Sequence, residues 1–160
     1  YTTLFRSLGS RLRRVFRARG TQGDERHRLS SGGVGQPLVH GLGALQQVQV
    51  AVDGEKIVGF VGYDRSRDEK SRPTTGEIWA IYAAPTHWNQ GVGLALWDAA
   101  RDGLQEEGCT NVTAWVPLRN ERALRFHELA GFKRELSTAK TAIIGGVKIE
   151  EVRLKRPING

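Results

Sequence analysis

Gly91 and Gly93 stand at the head of a stretch with helical periodicity, just after an apolar run over residues 77–84 that Pro85 ends. A helix start leaves about four backbone N–H groups unpaired and carries partial positive charge. Glycines there leave main-chain donors open to an anion, above all a phosphate. The run ahead of them, rich in Ile, Trp, Tyr and Ala, has the length and bounds of a strand buried on both faces. Strand, short turn and glycine-opened helix together describe an anion cradle at a strand-to-helix corner. Gly91-Val92-Gly93 is not a dinucleotide fingerprint, because that pattern needs a small residue where Leu96 stands and a shorter lead-in from the strand. Helix-strand packing through small residues stands open beside the cradle as a reading of the same glycines.

The chain around this corner has 160 residues, 39% hydrophobic and 26% charged, which is the composition of one globular domain with a real core. No apolar run approaches the eighteen or so residues of a membrane span. The single Cys109 excludes an internal disulfide and a cysteine metal cluster, so a reducing cytoplasm and no metal are expected. The net charge of +7 is concentrated: residues 1–30 hold eight arginines against Asp24 and Glu25, which leaves +1 for the remaining 130 residues. An arginine-rich arm suits nucleic acid or an acidic protein, but no RNA-module spacing accompanies it, and solvation is the usual fate of such a run.

In chain order, residues 1–7 resemble the translation of a sequencing adapter, and residues 11–19 lack the apolar segment of a signal peptide. Leu8, Leu12, Val15 and Phe16 are spaced for a short basic helix over residues 8–18, and residues 20–43 are glycine-rich and weakly patterned. Residues 1–47 are therefore expected to form a loosely ordered head, with one domain over residues 48–156 and a tail over 157–160. Within the domain, residues 48–52 alternate, Asp53-Gly54 is a hairpin signal, and residues 57–63 return. A helix over residues 92–107 stacks Val92, Leu96, Ala100 and Leu104 on one face, with Gly108 as its stop. Residues 111–116 form a strand closed by Pro117. Asn120 caps a helix to Ala130 that places Ala123, Phe126, His127 and Ala130 on one face, turning His127 inward. A closing hairpin follows with its turn at Gly145-Gly146, and the apolar phase of its last strand shifts near Glu150 or Glu151, which predicts a bulge there.

The segments IVGFVGY (57–63), EIWAIYAAP (77–85), WNQGVGLAL (88–96) and NERALRFHELAGF (120–132), in this order, resemble the Gcn5-related N-acetyltransferase (GNAT) superfamily of bacterial type. The resemblance covers about two thirds of the chain. It implies an α/β fold with a mixed, mostly antiparallel sheet flanked by helices. It also implies an acceptor wall from a first strand and two helices, which residues 1–47 do not display. It further implies acetyl-CoA as acyl donor and a primary amine, on a small molecule or a peptide, as acceptor.

Carried onto this sequence, the resemblance assigns the diphosphate of the donor to the amides of Asn89, Gln90, Gly91, Val92 and Gly93, and pairs its pantetheine with the backbone of Ile81, Tyr82 and Ala83. Asn120 caps its helix and is placed near the same ligand. Trp88 stands where the superfamily usually has Arg or Gln, so a side-chain contact is missing from the turn. A lysine-like amine with pKa about 10.4 is neutral in only about one molecule in 2,500 at pH 7, a deficit of about 4.6 kcal/mol, so a base is needed. Glu77 is the candidate, against a plain strand-end carboxylate. His127 occupies the position of the superfamily's usual tyrosine proton donor and is the candidate acid, against a merely packed imidazole. Two other functions stand beside the enzyme: a coenzyme A-binding domain without catalysis, and a protein that uses its basic arm on nucleic acid. A homodimer is compatible with all three.

Overall fold

The computed structural model of the chain describes residues 3–4, 14–18 and 47–158. Its strands are β1 (Thr3–Leu4), β2 (Arg14–Ala18), β3 (Gln47–Asp53), β4 (Lys56–Arg65), β5 (Thr75–Ala83), β6 (Asn111–Pro117), β7 (Lys133–Ile144) and β8 (Val147–Pro157), with helices α1 (Val92–Glu106) and α2 (Glu121–Leu129). One sheet runs β1-β2-β3-β4-β5-β6-β8-β7. Every pairing is antiparallel except β5 with β6, where α1 makes the crossover a parallel connection requires. Turn chemistry sets the hairpins. Gly54 closes β3–β4 at φ 62°, and Gly145 and Gly146 close β7–β8, both at positive φ. Among the described residues, no helix is long and apolar enough to cross a membrane.

The single parallel pairing is short, and that shapes the site. Residues 75–78 of β5 lie against residues 111–114 of β6, after which β5 follows β4 to Ala83 while β6 follows β8 to Pro117. The two central strands therefore part into a wedge. A bulge marks the parting: Gly62 opposes Ala80 but Tyr63 opposes Ile78, which leaves Trp79 unmatched. Bulges add local twist, and here the extra residue turns β5 away from β6. Gly62 makes room for it, since a Cβ there would lie 2.2 Å from the Trp79 ring.

The core fills the space between the sheet and α1. Leu96, Ala100 and Leu104 of α1 meet Val61, Ile78, Val112 and Leu154 of the sheet, all buried. Burial of each leucine is worth roughly 1.5–3 kcal/mol, so α1 is held mainly by this face. A polar knot lies among them. The buried Gln49 donates from Nε2 to the Tyr63 hydroxyl (2.7 Å) and to the Ala99 carbonyl (3.2 Å), and that hydroxyl donates to Gln47 Oε1 (3.0 Å). These bonds tie β3 and β4 to the middle of α1.

Three expectations change. The helix expected over residues 8–18 is a strand at Arg14–Ala18, antiparallel to β3 from Arg14 opposite Val52 to Ala18 opposite Val48; residues 8–13 lie outside the described residues. An unpaired β3 edge is a stronger template than the helical spacing of four apolar residues, and Val15 and Phe16 are strand formers. β2 thus stands where a first strand was thought missing. Burial on both faces of β5 holds only for residues 76–78, and Tyr82 is half exposed, because at that end α1 covers the face of Ile81 and Ala83, opposite to the Tyr82 ring. The bulge expected near Glu150 or Glu151 lies on the partner strand instead: Glu135 opposes Arg153 and Lys140 opposes Glu151, so residues 136–139 of β7 face Val152 alone. The expected order of residues 20–43 lies outside the described residues.

Candidate active site

α1 begins without a cap. Its N-cap, Gly91, is left-handed (φ 82°, ψ 4°), no side chain bonds to its first amides, and no acidic residue sits in its first turn. A left-handed N-cap strains any residue with a Cβ, which is the reason for glycine here. The carbonyl of Gly91 already accepts from the Ala95 amide (3.0 Å), so the N–H groups of Val92, Gly93 and Leu94 have no intrahelical partner. Asn89 is left-handed too (φ 59°), and Gln90 donates from Nε2 to the Thr86 carbonyl (3.0 Å), which fixes the turn. Gly93 has a different purpose. A Cβ there would lie 2.8 Å from the Phe126 ring, so its bareness lets α2 dock on α1. The two glycines thus have different structural reasons, a left-handed N-cap at Gly91 and helix packing at Gly93.

Beside this helix start lies the free lip of the wedge. The Ala84 amide donates to the Val58 carbonyl (2.8 Å), and bonded pairs alternate along an antiparallel ladder, so Tyr82 turns its backbone to Phe60 of β4. Ile81 and Ala83 then point their N–H and C=O groups into the gap. Of these, the Ala83 carbonyl accepts from Trp88 Nε1 (2.9 Å). Of the three residues expected to pair with an extended ligand, Ile81 and Ala83 present main-chain groups and Tyr82 presents only its ring, 6.0 Å from that of Phe60.

The start of α2 is closed where that of α1 is open. Asn120 Oδ1 accepts from the Ala123 amide (3.1 Å), and Glu121 lies in the first turn. Replacing Asn120 with Ala should lower the unfolding free energy by about 1 kcal/mol, read as a shift of the denaturant midpoint at constant slope. On the inner face of α2, His127 is 3% exposed and edge-on to Phe126 and Phe132, at 5.3 and 5.2 Å between centroids. Nδ1 lies 2.7 Å from the Ala123 carbonyl, which has only lone pairs to offer, so that nitrogen carries the proton. Nε2 is buried without a partner among the described residues. Burial lowers the pKa of His127, opposed in part by the bond to Ala123, so the ring is neutral with a bare acceptor at Nε2.

Glu77 is buried near the vertex of the wedge. Oε2 accepts from the Arg67 amide (2.9 Å) and Oε1 from Arg67 Nη2 (3.1 Å), so the carboxylate anchors the loop between β4 and β5. It is on the face opposite α1: Gly76 and Ile78, its neighbours, face Leu104 and the core, and alternation turns Glu77 the other way. His127 lies on the side of α1, since α2 docks there. The structure therefore does not bring the two candidates together on one face. A group serving both must sit in the gap between them. Arg67 and Arg122 were missed in the sequence. Arg67 is ten residues from its partner across a loop, and Arg122 lies over the Trp88 ring from another element, so neither pairing has a period to betray it.

Among solved structures, yncA from Salmonella typhimurium, determined with its cofactor acetyl-CoA, superposes with a TM-score of 0.60 at 18% identity, over 71% of this chain and 65% of that one. Nourseothricin acetyltransferase gives 0.62 at 23% identity, over 71% and 65%. These likenesses concern the fold. In sequence, mycothiol acetyltransferase of Kocuria rhizophila is 29% identical over 82 residues, 51% of this chain and 27% of its own length. The chain thus spans about a quarter of that relative and just under two thirds of the two structures. The family model described as Acetyltransferase (GNAT) family matches residues 32–132. That span is well over half of the sequence, it contains the wedge and both helices, and the chain belongs to the GNAT acetyltransferase family.

Proposed function

We propose that the chain transfers an acetyl group from acetyl-CoA to a primary amine on a small molecule or peptide. The observation that carries this reading is the uncapped start of α1 beside a lip of β5 that is unpaired among the described residues. The residues present suit the donor: orphan amides for a diphosphate, and an open strand edge for an extended amide-bearing arm. When bound, acetyl-CoA supplies the acetyl group as an activated thioester. The amides of residues 89–93 hold the anion through charge-assisted bonds worth roughly 1.5–3 kcal/mol each. Ile81 and Ala83 align the arm along the lip, and their N–H groups are the donors aimed at the gap.

His127 moves the proton. Its Nδ1–H stays on the Ala123 carbonyl, which leaves Nε2 to take up the proton that the attacking amine sheds and to deliver it to the leaving sulfur. An imidazolium in a buried place is a stronger acid than one in water, so it gives that proton up readily. Glu77 is the proposed base on the opposite face. Its carboxylate has lone pairs beyond the two bonded to Arg67, enough to draw the first proton from an incoming ammonium through a water. Glu77→Gln should lower kcat/KM about a hundredfold at neutral pH, with the deficit shrinking at higher pH as the amine loses its proton unaided. A uniform loss across pH would assign Glu77 to loop anchoring alone.

The test is thiol release from acetyl-CoA with a panel of amines. Release that depends on an amine supports the enzyme. Saturable binding of acetyl-CoA with no release under any amine favours a coenzyme A-binding domain instead. The soluble cytoplasmic setting, independence of metal and lack of nucleic-acid binding belong to the same reading. Salt-sensitive RNA retention that vanishes on deletion of residues 1–30 would overturn the last of these.

A further inference from the structure

Trp88 directly precedes the turn that opens α1, and its indole is fixed at one end by the bond from Nε1 to the Ala83 carbonyl. Arg122, on the first turn of α2, lies over that ring with Cζ 3.5 Å from the centroid. The start of α2 is adjacent to the turn that opens α1, since this contact joins Arg122 to Trp88. A guanidinium is therefore held beside the uncapped start of α1, and a cation near a helix N-terminus is unfavourable on its own. Among the described residues no carboxylate is within ion-pair distance of Arg122. Glu121 shares the first turn of α2, but the uncapped start of α1 beside Arg122 has no acidic residue in its own first turn, and an anionic ligand would complete it. A stacked guanidinium also keeps its in-plane N–H groups free, in the fork geometry that matches phosphate oxygens.

We propose that Arg122, held on the Trp88 indole, is a phosphate-binding residue of the acyl-donor site and supplies from α2 the anion contact that the side chain opening the α1 turn cannot make. The inference rests on the proposed acetyl-CoA site. It gives Trp88 a positioning role in place of a lost one.

The experiment compares wild type, Arg122→Gln and Trp88→Ala by calorimetric titration with acetyl-CoA, acetyl-dephospho-CoA and acetyl-pantetheine, with thermal melts confirming that each variant is folded. Arg122→Gln should weaken acetyl-CoA binding by about tenfold to a hundredfold, the range of one charged hydrogen-bond pair, and flatten its salt dependence. Affinity for acetyl-pantetheine, which has no phosphate, should not change. Trp88→Ala should weaken acetyl-CoA in the same direction. A loss that persists with acetyl-dephospho-CoA assigns the contact to the diphosphate, and one that disappears assigns it to the 3′-phosphate. Wild-type binding with an unchanged Arg122→Gln, or an equal loss on acetyl-pantetheine, overturns the inference and leaves the site standing. No acetyl-CoA binding by wild type overturns both. Trp88→Phe, which keeps an aromatic face, guards against a local collapse in Trp88→Ala and should retain most of the affinity.

Discussion

His127→Phe is expected to lower kcat by about a hundredfold to ten-thousandfold at saturating substrates while leaving the folded protein at least as stable as the wild type. The two effects separate because of how the ring is held. Nε2 is a buried acceptor without a partner, a state that costs about 1–3 kcal/mol, and its neighbours Phe126 and Phe132 already meet it edge-on. A phenyl ring removes the orphan atom and keeps the aromatic contacts. A fold that carries such a cost without a structural return points to function, where stability is commonly given up. The pH dependence follows from the same burial. The native pKa of His127 lies below the unfolded value of about 6.5, so between the two the unfolded chain binds a proton that the native chain does not. Wild-type stability should therefore fall as pH is lowered through about 6.5, and this part of the fall should be absent in His127→Phe. Unchanged kcat, with or without the pH effect, would reduce His127 to a packed core residue.

Gly103→Ala is expected to destabilise the fold by about 3 kcal/mol, more than any surface change in the domain. The added Cβ would lie 2.1 Å from the Tyr63 hydroxyl. Tyr63 is fully buried and its hydroxyl bonds to both Gln49 and Gln47, so it cannot withdraw without breaking the knot that ties β3 and β4 to α1. Overpacking costs about 1–3 kcal/mol, and stranding a buried polar group adds about as much again at the upper end. Gly108→Ala is the control. Gly108 is left-handed (φ 81°) with nothing within 4 Å of its missing Cβ, so its cost should be near 1 kcal/mol and come from the backbone alone. Chemical denaturation of the two variants should show the larger midpoint shift for Gly103→Ala. Equal shifts would mean that the interface between α1 and β4 yields more easily than its geometry suggests.

Much of the domain was legible because its signals are local. Asp53-Gly54, Pro85, the glycine-opened α1, the Asn120 cap and Gly145-Gly146 each act through their own backbone, and each stands where its chemistry placed it. The i+4 row Val92, Leu96, Ala100 and Leu104 is buried throughout, since one periodic face must meet the sheet. What was not legible depends on partners far apart in sequence. β2 became a strand because β3 offered an edge. The bulge in the last hairpin fell on β7 because a change of phase in one strand can be absorbed by either. Leu124, the most buried apolar residue of α2, was left out of its predicted face because the stripe was drawn through His127 and Phe126. In the site, the sequence located the open helix start and the central strand. It could not show that Glu77 and His127 lie on opposite faces, that Arg67 occupies Glu77, or that Tyr82 turns its backbone away from the gap. The last of these follows from the register of β5 with β4, and the other two from the docking of α2 on α1 and the loop between β4 and β5.

Hydrogen exchange with and without saturating acetyl-CoA reads the proposed donor site at the atoms concerned. Slowed exchange is expected at the amides of Val92, Gly93 and Leu94 and at those of Ile81 and Ala83, with the Tyr82 amide, already bonded to β4, little changed. Saturable binding that leaves the start of α1 unprotected, or the absence of any binding at millimolar acetyl-CoA, would contradict it.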